Sequence, residues 1–206
     1  MKKVPLSFYD RDDVVQIARE LLGKIIVTNF EEQIASARIV ETEAYIGITD
    51  KASHSYGQRR TTRNEHMYSP PGTAYVYICY GMHQMFNIVT NKKDIPDAVL
   101  IRAVEPLDGI DLMAKRTGKN INDKTLTRGP GNVGKALGIY KHHSGLFLLD
   151  KEIYLLDDGK KMIAEKIGIS KRIGVDGAGD DALLPFRFYI KGMSVVKEID
   201  QNKNIS

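Results

Sequence analysis

Apolar residues at Val14, Ile17, Leu21 and Leu22 fall on one face of a helix within "DRDDVVQIARELLG", residues 10–23. Asp10 stands where a helix cap is expected, and Gly23 where a helix stops. The period then shortens. "KIIVTNF" and "IASARIVETEAY" read as two strands, with "EEQ" between them at near-hairpin length. Residues 46–72 are polar and end in Pro-Pro-Gly, which predicts a long loop with one helical turn. Loops of that length in compact domains are usually functional or disordered. "YVYICYGMH" alternates as a strand through Tyr75 and Tyr77. Alternation breaks at Tyr80 and Gly81, which predicts a hairpin turning at Tyr80-Gly81-Met82 into "MHQMFNIVTN". "DAVLIRAVEP" reads as a further strand, "LDGIDLMAKRTG" and "GPGNVGKALGI" as helices. "GLFLLDKEIYLLDDGKK", "KIGISKRIGV" and "LPFRFYIKG" read as the last strands. Strands dominate and helices come in separate runs. The expected architecture is α+β: one domain over residues 1–206, an antiparallel sheet flanked by helices, a protruding hairpin, and a polar tail from about 198.

Composition narrows the class. Of 206 residues, 42% are apolar, enough to bury a core, and 27% are charged, as in a soluble protein. No apolar run approaches the roughly 18–20 residues that span a membrane, and "MKKVPLSFYDRDDVV" is not patterned as a secretory leader. The single cysteine, Cys79, rules out an internal disulfide and a cysteine-based zinc set. A reducing intracellular compartment is expected: cytoplasmic, nucleoid-associated in a prokaryote, nuclear in a eukaryote. A net charge of +4 tilts toward polyanionic partners without naming one. Its cations sit in short clusters, Arg59, Arg60 and Arg63 among them, and each taken singly reads as solvated surface.

Four features carry candidate chemistry. "GPGNVGK", Gly129 to Lys135, has the glycine and lysine spacing of a phosphate loop. It lacks the following Ser or Thr, and the polar "NINDKTLTR" before it cannot be the buried strand that motif requires. In "VETEAY", Glu41 and Glu43 share one strand face with Tyr45. Such a pair is usually the wet side of a sheet. Set among apolar neighbours, a carboxylate is instead desolvated and its pKa raised, which suits a general base. His54 in "KASHSYG" has no partner at metal-ligand spacing, so no metal site is expected. Arg102 in "LIRAVEP" needs an acid partner if buried, with Glu41, Glu43 and Glu105 as the options.

Together, "ETEAY", "ASHS", "TTRN", "PGTAYVYICYGMHQMFNIV", "VLIRAVEP" and "RGPGNVGKALGI" resemble the alkyladenine, or 3-methyladenine, DNA glycosylase family. The resemblance runs from about residue 5 to residue 192 and is densest over 41–106. It implies a mixed α/β domain whose fold is similar to the C-terminal domain of formyltransferases. It also implies a monomer acting on double-stranded DNA with no cofactor and no metal. The implied activity removes alkylated or deaminated purines (3-methyladenine, 7-methylguanine, hypoxanthine, ethenoadenine) and leaves an abasic site.

By that resemblance, Tyr80 is a wedge that enters the minor groove, with Met82 beside it. Glu43 is the base that activates water, and Arg102 helps hold that water. Tyr45, His54 and Tyr77 wall the base pocket, and the His54 N–H donates to the purine edge. Asn87 disfavours guanine's exocyclic amine. A carbonyl near Val175 completes the water site. The chain departs from the family pattern at "GMHQMF" and "GITDKAS", which bear on flanking-base contacts and lesion range. Three other readings compete: a damage-binding module without catalysis, an RNA-directed transferase or binding domain, and a metal-dependent hydrolase built on Glu41, Glu43 and His54.

Overall fold

The computed structural model describes residues 1–160 and 162–197; the polar tail expected from about 198 lies outside the described residues. Strand β1 (Lys2–Lys3) precedes two short helices, α1 (Leu6–Tyr9) and α2 (Val14–Glu20). Strands β2 (Ile25–Phe30), β3 (Gln33–Tyr45), β4 (Ala74–Cys79), β5 (His83–Thr90) and β6 (Asp97–Asp108) follow. Helices α3 (Ile110–Thr117) and α4 (Pro130–Leu137) come next, then strands β7 (Ile153–Asp157), β8 (Ile167–Ser170) and β9 (Arg187–Ile190).

The strands form one antiparallel sheet in the order β1-β7-β2-β3-β6-β5-β4. β9 joins along β3 and β8 along β9. The core lies where α2 covers β3 and β6 and where α4 covers β5 and β6, with Ile17, Ile39, Phe86, Ile101 and Val133 fully enclosed. This bears out the α+β class.

Several boundaries differ from those expected. α2 starts three residues late, because Asp13 and not Asp10 caps it, accepting from the Gln16 N–H at 2.8 Å. The β2–β3 turn is the two residues Glu31 and Glu32, both at positive φ, which matches strand twist and pairs Phe30 with Gln33. Among the described residues of 145–160 only Ile153–Asp157 is strand, because Phe147 makes an isolated bridge to Thr73 and the chain turns after it. The strand in "KIGISKRIGV" ends at Ser170, where Arg172 turns inward to a buried partner. Residues 46–72 hold two short 3₁₀ turns, Tyr56–Gln58 and Glu65–Tyr68.

β3 organises the site. Its first half pairs with β2 and its last third with β9, while β6 runs along the other edge. The β3–β6 register passes from Ile39↔Val104 to Glu41↔Ala103 to Thr42↔Ile101. Val40 is skipped on one strand and Arg102 on the other. Paired irregularities of this kind bend the strands and re-aim side chains. Here they bring Arg102 against both glutamates of β3.

Candidate active site

Glu43 has no solvent-exposed surface, and Glu41 is almost as enclosed. The wet-face reading of "VETEAY" is therefore wrong. β9 closes that edge of β3, and the chain after β8 crosses the face. Three donors hold the Glu43 carboxylate. The Ile173 N–H reaches Oε1 at 2.8 Å, the Tyr45 hydroxyl reaches Oε2 at 2.9 Å, and Arg102 Nη1 reaches Oε2 at 3.3 Å. Burial outweighs these donors and pushes the Glu43 pKa above the usual carboxylate range. Burial beside Glu43 also keeps the Tyr45 phenol protonated, so it remains a donor.

Glu43 lies beside a cavity of about 310 Å³. Tyr45, His54, Tyr77, Tyr80, Asn87, Arg102 and Val175 all line it, together with Arg63, Met67 and Tyr75. Seven of the nine candidate residues thus share one cavity; Glu43 adjoins it through Tyr45 and Arg102. Met82 lies outside it, exposed on the hairpin tip. Asn87 is buried, and its Nδ2 donates to the carbonyls of Tyr75 and Met85. The Val175 carbonyl already accepts from the Ala178 N–H at 2.9 Å.

The walls are aromatic. His54 meets Tyr77 edge-on at 4.5 Å between ring centroids, and its Nδ1 lies 2.9 Å from the Tyr75 hydroxyl. Burial, with Arg63 and Arg59 nearby, lowers the His54 pKa to about 4, so the ring is neutral at pH 7. Burial pushes Tyr77 up to about 12. Among the described residues the His54 backbone N–H has no protein acceptor, whereas its carbonyl takes a bond from Asn64 Nδ2.

Tyr80 tops the β4–β5 hairpin at 88% exposure, with φ of +50°, and Gly81 follows at +74°. The Met82 N–H closes the turn on the Cys79 carbonyl at 3.2 Å. A non-glycine residue in the left-handed region carries strain of about 1–2 kcal/mol. No packing repays that strain here, since the ring faces solvent.

Supports that the residue pattern did not reveal surround these groups. Arg172 is buried in a bidentate pair with Asp50 and lies 4.7 Å from the centre of the Tyr45 ring. Asn64, the last residue of "TTRN", ties the carbonyls of His54 and Arg59 to the Ser55 hydroxyl. Arg60 is spent on Glu65 and Asp94, which leaves Arg63 to lie 5.5 Å from the Tyr77 ring centre. A long polar loop carrying Arg59, Arg60 and Arg63 before a strand is the available signal. Partners far apart in sequence could not be assigned from it. Among the described residues no three His, Cys, Asp or Glu side chains gather as metal ligands, and no helix is long and apolar enough to cross a membrane.

Residues 7–194 match the family model described as methylpurine-DNA glycosylase. The chain belongs to the methylpurine-DNA glycosylase family. Proteins named "Putative 3-methyladenine DNA glycosylase" are similar to it along nearly their whole length. One from Desulfitobacterium hafniense is 45% identical over 203 residues, covering 95% of this chain and 98% of its own. One from Clostridium novyi is 45% identical over 205 residues, covering 96% and 100%. One from Chlamydia abortus is 45% identical over 188 residues, covering 91% and 97%. The matched residues include both the cavity and the hairpin.

Proposed function

We propose that this chain is a base-excision repair glycosylase that flips alkylated or deaminated purines out of duplex DNA and hydrolyses the N-glycosidic bond, leaving an abasic site. The observation that carries the reading is the fully buried Glu43, held by Arg102 and Tyr45 beside an aromatic cavity at the foot of a hairpin whose tyrosine is exposed. A base within a duplex is out of reach of a nucleophile, and extruding it costs a few kcal/mol of stacking. Tyr80 fills the gap that the extruded nucleotide leaves, with Met82 beside it. The cavity volume is near the low end of the roughly 300–1,000 Å³ usual for small-molecule sites, in keeping with a single base.

In the pocket the base packs against Tyr45, Tyr77 and the neutral His54. Each aromatic contact contributes about 1–3 kcal/mol, and a purine made cationic by methylation at N3 or N7 gains further attraction. Water adds to C1′ of the deoxyribose, Glu43 takes its proton, and the electron pair of the C1′–N bond leaves with the base. Arg102 helps hold that water. A cationic base departs neutral, while hypoxanthine or ethenoadenine also needs a proton as it leaves. Among the described residues no lysine lines the cavity, which favours water as nucleophile and argues against strand cleavage. Asn87, which lines the cavity, is taken as the residue that crowds the exocyclic amine of guanine. The reading takes the protein as a monomer that needs no cofactor.

The test uses duplexes carrying one hypoxanthine or one ethenoadenine, chelator throughout, and alkali to break abasic sites. Wild type should give breaks at the lesion; Glu43→Gln should bind the duplex and give none. Absence of breaks on these duplexes, together with no release of 3-methyladenine from methylated DNA, would overturn the catalytic reading in favour of a binding role.

A further inference from the structure

We propose that Glu41 and Arg187, neither of which lines the cavity, are positioning residues that hold the Arg102 guanidinium against Glu43. The proposal rests on the reading of Glu43 and Arg102 given above. Glu41 Oε1 accepts from Arg187 Nε at 2.7 Å and from Arg102 Nε at 3.1 Å. Arg187 is fully buried, with Nη1 on the Ser170 hydroxyl at 2.9 Å and Nη2 on the Lys197 carbonyl at 2.6 Å. Its guanidinium also lies 4.6 Å from the centre of the Tyr189 ring. The result is a row of alternating charges, Arg187, Glu41, Arg102, Glu43, running from β9 through β3 to β6 and back to β3.

Stability alone is a poor account of this row. Enclosed ions carry a desolvation cost, and apolar replacements of similar volume are often as stable or more so. Geometry gives a better one. Arg102 sits where the β3–β6 register skips a residue, so the ladder does not fix its direction. Glu41 grips Nε, which leaves Nη1 for Glu43 and turns the end of the side chain to the cavity it lines. Arg187 in turn keeps Glu41 from following Arg102 outward.

Charge follows from the same arrangement. Glu43 faces Arg102 from β6, Tyr45 and Glu41 from β3, Tyr77 from β4, and Arg172 with the Ile173 N–H from the chain after β8. Arg187 of β9 reaches it through Glu41. The Glu41 carboxylate makes Glu43 easier to protonate, while Arg102 does the reverse. Replacing Glu41 by Gln removes the anion and leaves both cations, so Glu43 becomes harder to protonate and a weaker base.

The experiment measures single-turnover excision of hypoxanthine from a duplex against pH, with near-UV circular dichroism as a fold control. Glu41→Gln should bind the duplex with nearly wild-type affinity, lose about 10²-fold in rate, and move the acidic limb to lower pH. The double variant Glu41→Gln/Arg187→Gln removes one charge of each sign. Its limb should return toward wild type while its rate stays low. A wild-type rate or an unmoved limb in Glu41→Gln would overturn the proposal. If Glu41→Gln does not fold, the double variant decides, and a wild-type rate there overturns it. Glu43→Gln run alongside separates the two ideas. Excision by Glu43→Gln would remove the base reading, and the proposal with it. An inactive Glu43→Gln beside a wild-type-like Glu41→Gln would remove this proposal alone.

Discussion

Ile173 donates its backbone N–H to Glu43 Oε1 at 2.8 Å, joining segments 130 positions apart. The bond fixes one oxygen of the carboxylate, and Tyr45 and Arg102 fix the other. A carboxylate gripped at both oxygens cannot rotate away from the cavity, and its donors come from three separate parts of the chain. Orientation here is set by tertiary packing, so changes at the donors should alter chemistry more than fold.

Tyr45→Phe tests one donor. The phenol bond favours the charged form of Glu43, so its loss makes Glu43 easier to protonate. The acidic limb of the single-turnover rate should move to higher pH, with rates converging on wild type under alkaline conditions. The ring keeps its place beside Arg172, so stability in urea should fall only by the worth of one hydrogen bond to a charged group, about 1.5–3 kcal/mol. A limb that stays in place would show that this hydroxyl does not tune Glu43.

Gly134→Ala tests why "GPGNVGK" is rich in glycine. α4 lies against β5 so closely that a Cβ on Gly134 would strike the Gln84 carbonyl oxygen, which cannot yield unless the hairpin strand moves. A Cβ on Gly131 would come within 2.6 Å of His83 Nδ1, on an exposed ring that can swing aside, which leaves only the milder approach of 3.1 Å to the His83 Cβ. Alanine gains about 1 kcal/mol of helix propensity, whereas overpacking costs about 1–3. Urea unfolding should therefore rank Gly134→Ala below wild type and Gly131→Ala close to it. The reverse order would mean that the close approach is not what these glycines serve.

That motif shows where reading residues in order stops short. Alternation correctly placed β3, the β4–β5 hairpin and β6, and so put Tyr77 and Asn87 on the strands and Tyr80 at the tip. It also showed that Glu41 and Glu43 share a face. It could not show that the face is covered, because the cover comes from β9 and from Ile173, well over a hundred positions later. Arg102 needs an acid, and its two partners, Glu41 and Glu43, are among the three the sequence offers; the irregular register that selects them has no sequence marker. The Asp50–Arg172 pair joins positions 122 apart, and no local pattern marks it. Asp10 stands where the spacing expects the cap, but the cap is Asp13, and only the hydrogen bond from the Gln16 N–H marks it.

His54→Gln tests acid stability. The His54 pKa falls from 6.5 to about 4 in the folded protein. The unfolded chain therefore takes up a proton below about pH 6.5 that the native state refuses until about pH 4. The stability linked to this group is present above 6.5 and lost as pH falls toward 4. Wild type should lose about 2–3 kcal/mol more than His54→Gln across that window, measured by urea unfolding at each pH. Parallel profiles for the two proteins would place His54 in a more solvated setting than the cavity wall.

Tyr80→Gly sets stability against function at one position. Glycine adopts φ of +50° without the clash a side chain incurs, which favours the turn by about 1–2 kcal/mol. The greater freedom of glycine in the unfolded chain takes back about 0.5–1 kcal/mol. At 88% exposure the ring contributes almost no packing, so the variant should be as stable as wild type or slightly more so. Excision from duplex DNA should nonetheless fall by about tenfold or more, because refilling the stack offsets part of the few kcal/mol that extrusion costs. A lesion in single-stranded DNA has no such stack to refill, and its rate should fall much less. Equal losses on both substrates would assign Tyr80 to general DNA binding, and no loss on the duplex would leave the strained exposed tyrosine without the wedge role.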